Sequence, residues 1–114
     1  MYTIWHNPRC RKSRQTLALL EENGITPTIR LYLVDAPRAE EIRHVCALLG
    51  KRPIDITRTK EKEFSQAGLT LDSSDADILS AMEKYPKLIE RPIVIRNNQK
   101  ACIGRPPETV LDII

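Results

Sequence analysis

The chain is poor in glycine, in aromatic residues and in long apolar runs. Its 114 residues include four glycines, too few for a glycine-rich phosphate-binding loop. Aromatic residues make up 4%, so few rings are available to stack on nucleic-acid bases. No apolar run approaches the roughly 18 residues of a membrane span, and the first residues lack the basic and apolar regions of a signal peptide. We therefore expect a cytoplasmic protein that contacts neither a membrane nor a nucleic acid.

Cysteine is also scarce, and the net charge is small. An odd number of cysteines (Cys10, Cys46 and Cys102) without a secretion signal argues against a disulfide framework and favours reduced thiols. The net charge of +3 is too weak to indicate a nucleic-acid partner. No cluster of histidine, cysteine and carboxylate residues has the spacing of a zinc site, so we expect no bound metal. The length predicts one domain spanning residues 1–114, and we expect a monomer.

Apolar segments separated by turn signals predict an α/β protein. Strands are expected over residues 2–6, 28–33, 93–95 and 101–103. Helices are expected over residues 13–23 and over residues 37–49, the second ended by Gly50. Further helices are expected after Ser74, where Ser74 to Asp77 has the spacing of a capping box, and from Pro106-Pro107 to the end of the chain. The polar segment 51–68 is expected to hold one or two short helices.

The connections between these segments predict how the strands pair. A helix joins the first two strands, so they should be parallel. Asn97-Asn98 separates the last two strands and is typical of an antiparallel hairpin. The sequence therefore predicts a four-stranded mixed sheet surrounded by helices.

Cys10 is the strongest candidate for chemistry. It lies where the first strand leads through Asn7-Pro8 into a helix, and a helix N-terminus stabilises a thiolate. Four cations stand within four residues of it, and these should stabilise the thiolate further and attract an oxyanion. These cations are Arg9, Arg11, Lys12 and Arg14. The alternative interpretation is a small buried residue at a tight corner.

Ser13 and His6 are the nearest polar candidates to support Cys10. With Ser13 three residues on, the motif is Cys-x-x-Ser, so this segment cannot form its own disulfide and a redox cycle needs another thiol. Ser13 can equally be a first-turn hydroxyl of the helix. His6 can tune the thiolate or hold the turn by a hydrogen bond, and we favour the structural role.

Other candidates carry weaker signals. Cys46 and Arg52 have the spacing of a tyrosine-phosphatase loop, but Cys46 lies on the apolar stripe of a helix, so we interpret the match as chance. Arg58 lies in the polar middle. Arg91 and Arg105 each precede a proline, which favours an extended backbone that presents the guanidinium to an anion.

Three segments together resemble the glutaredoxin-linked arsenate reductase family, in particular its reductase-like branch. HNPRCRKSRQTL at residues 6–17 is similar to the active-site segment of that family. PKLIERPIVI at residues 86–95 and GRPPETVLDI at residues 104–113 are similar to its C-terminal signature. The segments occur in the right order over nearly the whole chain.

The resemblance implies a thioredoxin-like fold with a helical insertion in the middle of the chain and a cis peptide before Pro92. It implies that Cys10 is the catalytic cysteine, and that Arg58, Arg91 and Arg105 bind the oxyanion. His6, Ser13, Arg14 and Pro92 are then supporting residues.

The resemblance further implies reduction of arsenate to arsenite through a thiol-arsenate adduct on Cys10. Glutathione is the implied co-substrate, glutaredoxin is the implied partner, and no bound cofactor is expected.

Two alternatives remain open at this stage. One is a redox regulator similar to the Spx proteins, which share this fold and bind RNA polymerase. Those proteins usually carry Cys-x-x-Cys, which Ser13 interrupts here. The other is a glutathione-linked thiol oxidoreductase with a different substrate. We favour the reductase because a protein that only exchanges thiols does not need three candidate anion-binding arginines.

Overall fold

A computed structural model describes all residues from 1 to 114. The chain divides into two compact units, one formed by Met1–Asp35 with Arg91–Ile114 and the other by Ala36–Glu90. The first unit is therefore discontinuous in sequence, and the second is inserted into it. None of the helices is long and apolar enough to cross a membrane.

The first unit contains a four-stranded mixed sheet. Its strands are β1 (Tyr2–Trp5), β2 (Thr28–Arg30), β3 (Ile93–Arg96) and β4 (Lys100–Ile103), in the spatial order β2-β1-β3-β4. β1 pairs parallel with β2 and antiparallel with β3, and β3 pairs antiparallel with β4. The predicted mixed sheet is confirmed. Asn97 and Asn98 both have positive φ, which the tight connection between β3 and β4 requires and which asparagine tolerates.

Helix α1 (Arg11–Glu22) and a C-terminal 3₁₀ helix (Pro107–Ile113) complete the first unit. Ile4, Val94 and Cys102 are in register on adjacent strands and point to the same face of the sheet. They form one apolar cluster with α1 and with the 3₁₀ helix. The buried contributors from the two helices are Leu20, Val110 and Ile113.

The second unit is helical, as expected for the middle of the chain. It contains α2 (Ala39–Leu49), a 3₁₀ helix (Pro53–Ile56), α3 (Lys62–Gln66), α4 (Asp75–Lys84) and a 3₁₀ helix (Pro86–Leu88). Ser74 Oγ accepts a hydrogen bond from Asp77 N–H, so the predicted cap begins α4. Gly50 ends α2 with a left-handed backbone, as the sequence predicts. Helix α2 contacts α4, and each buries apolar residues.

Two predicted elements differ from the structure. β2 ends at Arg30 and not at Leu33, because the chain turns back where Asp35 N–H donates to Leu31 O. The Arg30 side chain holds this turn by contacting Asp35. The last helix, Pro107–Ile113, is a 3₁₀ helix.

Candidate active site

Cys10 occupies the N-cap position of α1, in the tight loop that follows β1. Its backbone is extended, with φ −93° and ψ 120°. Cys10 N–H donates to Asn7 O at 2.9 Å, which closes the turn, and Cys10 O accepts from Arg14 N–H at 3.0 Å, which begins the helix. The side chain is half-buried. The sulfur is therefore accessible and lies at the positive end of the helix dipole.

The surroundings of Cys10 lower the pKa of its thiol. Partial burial acts to raise this pKa, but the backbone N–H groups of Ser13 and Lys12 and the charges of Arg91 and Arg105 outweigh it. The net effect is a pKa below the ordinary value. The thiolate, which is the nucleophilic form of cysteine, is therefore enriched at neutral pH.

The cations that act on the thiolate differ from those that the sequence indicates. Arg91 and Arg105, distant in sequence, supply the charges that lower the pKa of Cys10. Arg14 instead donates from Nη1 to Pro8 O at 2.8 Å and so holds the active-site loop. A cation that is near a cysteine in sequence therefore need not be one that acts on its thiol.

His6 and Ser13 form a buried hydrogen bond directly beneath this loop. His6 Nδ1 lies 2.6 Å from Ser13 Oγ, and Ser13 Oγ accepts from Asn7 N–H at 3.0 Å. Burial, and then the charge of Arg14, lower the pKa of His6, so its imidazole is neutral at pH 7. Ser13 is therefore a first-turn residue whose hydroxyl ties the strand end to the helix, and His6 holds the turn in the same contact.

Arg91 and Arg105 belong to two short segments that run side by side. Gly104 N–H donates to Pro92 O at 3.0 Å, and Arg105 Nη1 donates to Arg91 O at 3.4 Å. The Arg91–Pro92 peptide is cis, as the resemblance implies, and the Arg105–Pro106 peptide is also cis. Pro92 is buried, whereas Arg105 is exposed and Arg91 is half-buried. Both guanidinium groups thus belong to the unit that contains Cys10.

Gly104 is a residue that the sequence reasoning missed. A Cβ atom at this position would collide with both Oγ1 and Cγ2 of Thr16 on α1, and would lie 2.9 Å from Pro92 Cγ. Only glycine therefore permits the close approach between α1 and the segment that carries Arg105. The available signal was a glycine directly before an Arg-Pro pair.

Arg58 lies in the second unit, in the segment after the 3₁₀ helix Pro53–Ile56. Its Nη2 forms an ion pair with Glu61 Oε1 at 2.6 Å, and its Nη1 donates to Lys87 O at 3.3 Å. These contacts hold the side chain half-buried. Its assignment as an oxyanion-binding residue stays a prediction.

The two remaining cysteines are not suited to nucleophilic chemistry. Cys46 lies on the buried face of α2 with 3% of its surface exposed, and Cys102 lies on β4 with 7% exposed. Burial, followed by the charges of nearby aspartates, raises the pKa of each thiol to about 11. Both therefore stay protonated at neutral pH. The helical position of Cys46 agrees with the interpretation of its spacing to Arg52 as chance.

The mixed sheet, the helix that begins at a half-buried cysteine and the cis-proline segment beside it define a thioredoxin-like protein with a helical insertion. The sequence matches the ArsC family over residues 5–113, and the chain belongs to that family.

Curated relatives and solved structures are similar to this chain over nearly its whole length. An arsenate reductase of Haemophilus influenzae is 48% identical over 97% of this chain and 97% of its own length. An arsenate reductase of Neisseria meningitidis is 40% identical over 94% and 92% of the two chains. The solved structure of an arsenate reductase from Vibrio cholerae is 44% identical, covers 99% and 97% of the two chains and has a TM-score of 0.93.

Proposed function

We propose that this protein is an arsenate reductase that uses the Cys10 thiolate as its nucleophile and depends on glutathione and glutaredoxin. The observation that carries the proposal is the placement of Cys10 at the N-terminus of α1, with its pKa lowered by two backbone N–H groups and two arginines. The names of the relatives support arsenate as the substrate.

The first step is attack of the Cys10 thiolate on the arsenic of arsenate. A sulfur–arsenic bond forms, and one oxygen leaves as water after it takes up protons. Arg91 and Arg105 stabilise the negative charge on the remaining oxygens. Arg58 is proposed as a third oxyanion-binding residue.

The second stage requires thiols from other molecules. Glutathione replaces a further oxygen on arsenic, and a thiolate of glutaredoxin then attacks the glutathione sulfur. The electron pair of the broken sulfur–arsenic bond stays on arsenic, which becomes As(III), while glutaredoxin holds a mixed disulfide. Hydrolysis of the remaining sulfur–arsenic bond releases arsenite and regenerates Cys10. This route fits a chain whose other two cysteines are buried and protonated.

The test is arsenate-dependent oxidation of NADPH in a mixture of this protein, glutathione, glutaredoxin and glutathione reductase. We expect turnover with the wild type and with Cys46→Ala/Cys102→Ala, and none with Cys10→Ser. Turnover that requires glutaredoxin and a glutathionylated protein but is unaffected by arsenate would identify the glutathione-linked oxidoreductase instead. Arsenate turnover that survives Cys10→Ser would contradict the proposal.

A further inference from the structure

Three cations around Cys10 have no partner within the protein. Arg9, Arg11 and Lys12, hereafter the basic collar, are all exposed. None of their side chains takes part in an ion pair or a hydrogen bond. Arg14 differs from them because its guanidinium is used to hold Pro8. The basic collar is thus a patch of unneutralised positive charge beside the candidate nucleophile.

Positive charge predominates in the part of the sequence around Cys10. The first 20 residues contain no aspartate or glutamate. The unit that carries Cys10 has nine lysines and arginines against five acidic residues, whereas the inserted unit has nine against ten. The positive charge of the protein is therefore concentrated in the unit that holds the candidate site, and it attracts anions from solution.

The side-chain charges of the basic collar are not among the charges that lower the pKa of Cys10. The charges that lower the pKa of the thiol come from Arg91 and Arg105, which are also the candidates for holding a small oxyanion. Three further cations exceed what one tetrahedral oxyanion at the sulfur needs. A second anionic group, farther from the sulfur, would account for them.

The second reactant at Cys10 must bring its own thiol. Cys46 and Cys102 are buried, and their pKa values are raised to about 11, so neither offers a thiolate. Whatever resolves an adduct on Cys10 therefore comes from solution to this half-buried sulfur.

We propose that the basic collar binds the carboxylates of the low-molecular-weight thiol that reacts at Cys10. This inference rests on the proposed function only in that Cys10 must accept an external thiol. The class of ligand is a small thiol with at least two separated carboxylates, since three exposed cations that flank Cys10 in the loop and the first helical turn match dispersed charge. Glutathione belongs to that class and serves as the probe.

The test uses thiol–disulfide exchange at Cys10 and needs no arsenate. In Cys46→Ala/Cys102→Ala protein, the Cys10 thiolate attacks one sulfur of a disulfide, a mixed disulfide forms and the other half leaves as a thiolate. The rate constants with oxidised glutathione, which carries carboxylates, and with 2-hydroxyethyl disulfide, which is neutral, are measured by mass spectrometry of quenched samples. The rate constant with oxidised glutathione is divided by the rate constant with 2-hydroxyethyl disulfide. In this ratio, changes in the nucleophilicity of Cys10 itself cancel.

We expect the ratio to fall about tenfold in Arg9→Gln/Arg11→Gln/Lys12→Gln, which lies at the low end of electrostatic steering effects. The matched comparison is Lys12→Glu against Lys100→Glu. Lys100 is also exposed, but it lies on β4 in register with Arg96 of β3, at the end of the sheet opposite His6. The two single variants have the same net charge, and only the first is expected to lower the ratio.

A ratio within twofold of the parent value in the triple variant would overturn the proposal. An equal effect of Lys100→Glu would do so as well, since it would assign the effect to net charge alone. The two proposals can fail separately. If the coupled assay shows no arsenate turnover but the ratio of exchange rate constants still falls in the collar variants, the proposed function is refuted and this inference stands.

Discussion

At the scale of single residues, the reactivity of Cys10 depends on fixed backbone dipoles and on two distant side chains. The N–H groups of Ser13 and Lys12 are set by the geometry of α1 and cannot be removed by a side-chain substitution. The charges of Arg91 and Arg105 can be removed. The two contributions are therefore separable by experiment.

We expect Arg105→Gln to raise the pKa of the Cys10 thiol, because a cation that favours the thiolate is lost. The rate of reaction at the Cys10 thiolate then rises with pH at a higher pH than in the wild type, because the thiolate fraction is smaller at any given pH below the pKa. Thiolate absorbance at 240 nm against pH measures the shift in protein without the other two cysteines. Arg105→Lys, which keeps the charge, should shift the pKa less, and an unchanged pKa in both Arg105→Gln and Arg91→Gln would refute the assignment.

Ser13→Ala should lower the free energy of unfolding by about 1–3 kcal/mol, because it leaves His6 Nδ1 and the Asn7 N–H without their hydrogen-bond partner. Ser80→Ala on the exposed face of α4 is the control and should stay within about 0.5 kcal/mol of the wild type. Urea denaturation followed by circular dichroism measures both values. Equal stability of the two variants would contradict the structural role of Ser13.

The sequence predicted part of this site for physical reasons. A cysteine between a strand and a helix must lie near the first N–H groups of the helix, so its activation by backbone was predictable. The charges that act on it were assigned to the wrong residues, because local sequence says which cations are nearby along the chain and not which way they point. Arg91 stands before β3 and Arg105 after β4, so the pairing of β1 with β3 and of β3 with β4 brings both into the unit that holds Cys10.

At the scale of elements, Gly104 brings α1 into close contact with the segment before Arg105. Gly104→Ala should destabilise the protein by about 1–3 kcal/mol, the usual cost of overpacking, because the new methyl group collides with Thr16. It should also displace Arg105 and so raise the pKa of Cys10. Thermal unfolding and the thiolate titration test the two effects.

Gly68→Ala is an informative comparison for this prediction. Gly68 has φ +73°, but no neighbouring atom lies within 4 Å of the place that an alanine methyl group would take, so alanine there meets backbone strain and no collision. We expect a smaller loss of stability, about 1 kcal/mol, and no change in the pKa of Cys10. A larger loss for Gly68→Ala than for Gly104→Ala would show that crowding is not what demands glycine at 104.

Elements with strong local signals were predicted well, and those fixed by distant contacts were not. Asn97-Asn98 and Ser74 carry their turn and cap chemistry in the sequence, and both appear as expected. The apolar run after Arg30 resembles a continuing strand, because nothing local shows that Tyr32 is buried in a turn. The α-helical or 3₁₀ character of the last segment is equally invisible in its apolar pattern.

At the scale of the whole molecule, each compact unit contains one buried thiol that reports on its unfolding. Cys102 lies in the first unit and Cys46 in the second, and the pKa of each is raised to about 11. Above the ordinary thiol pKa of about 8.5, the unfolded chain loses these protons while the folded chain keeps them. Stability should therefore fall as pH rises from about 9 toward 11, by about 1.4 kcal/mol per pH unit for each thiol.

The measurement is the free energy of unfolding at several pH values in this window for the wild type, Cys46→Ala and Cys102→Ala. Each variant should show a shallower pH dependence than the wild type. If the protein unfolds as the single domain expected from its length, there is one unfolding transition, and both variants make its pH dependence shallower. Two separate transitions, each sensitive to one cysteine, would show that the units unfold independently.

The discontinuity of the first unit has a consequence during biosynthesis. β1 and Cys10 leave the ribosome first, but β3, the strand that pairs with β1 on one side, is made only after the whole inserted unit. Arg91 emerges just before β3 and Arg105 only after β4, so a nascent chain carries Cys10 without the two charges that lower its pKa. Reactivity of the thiol is thereby coupled to completion of the polypeptide, because a truncated product lacks the part of the pKa lowering that Arg91 and Arg105 supply.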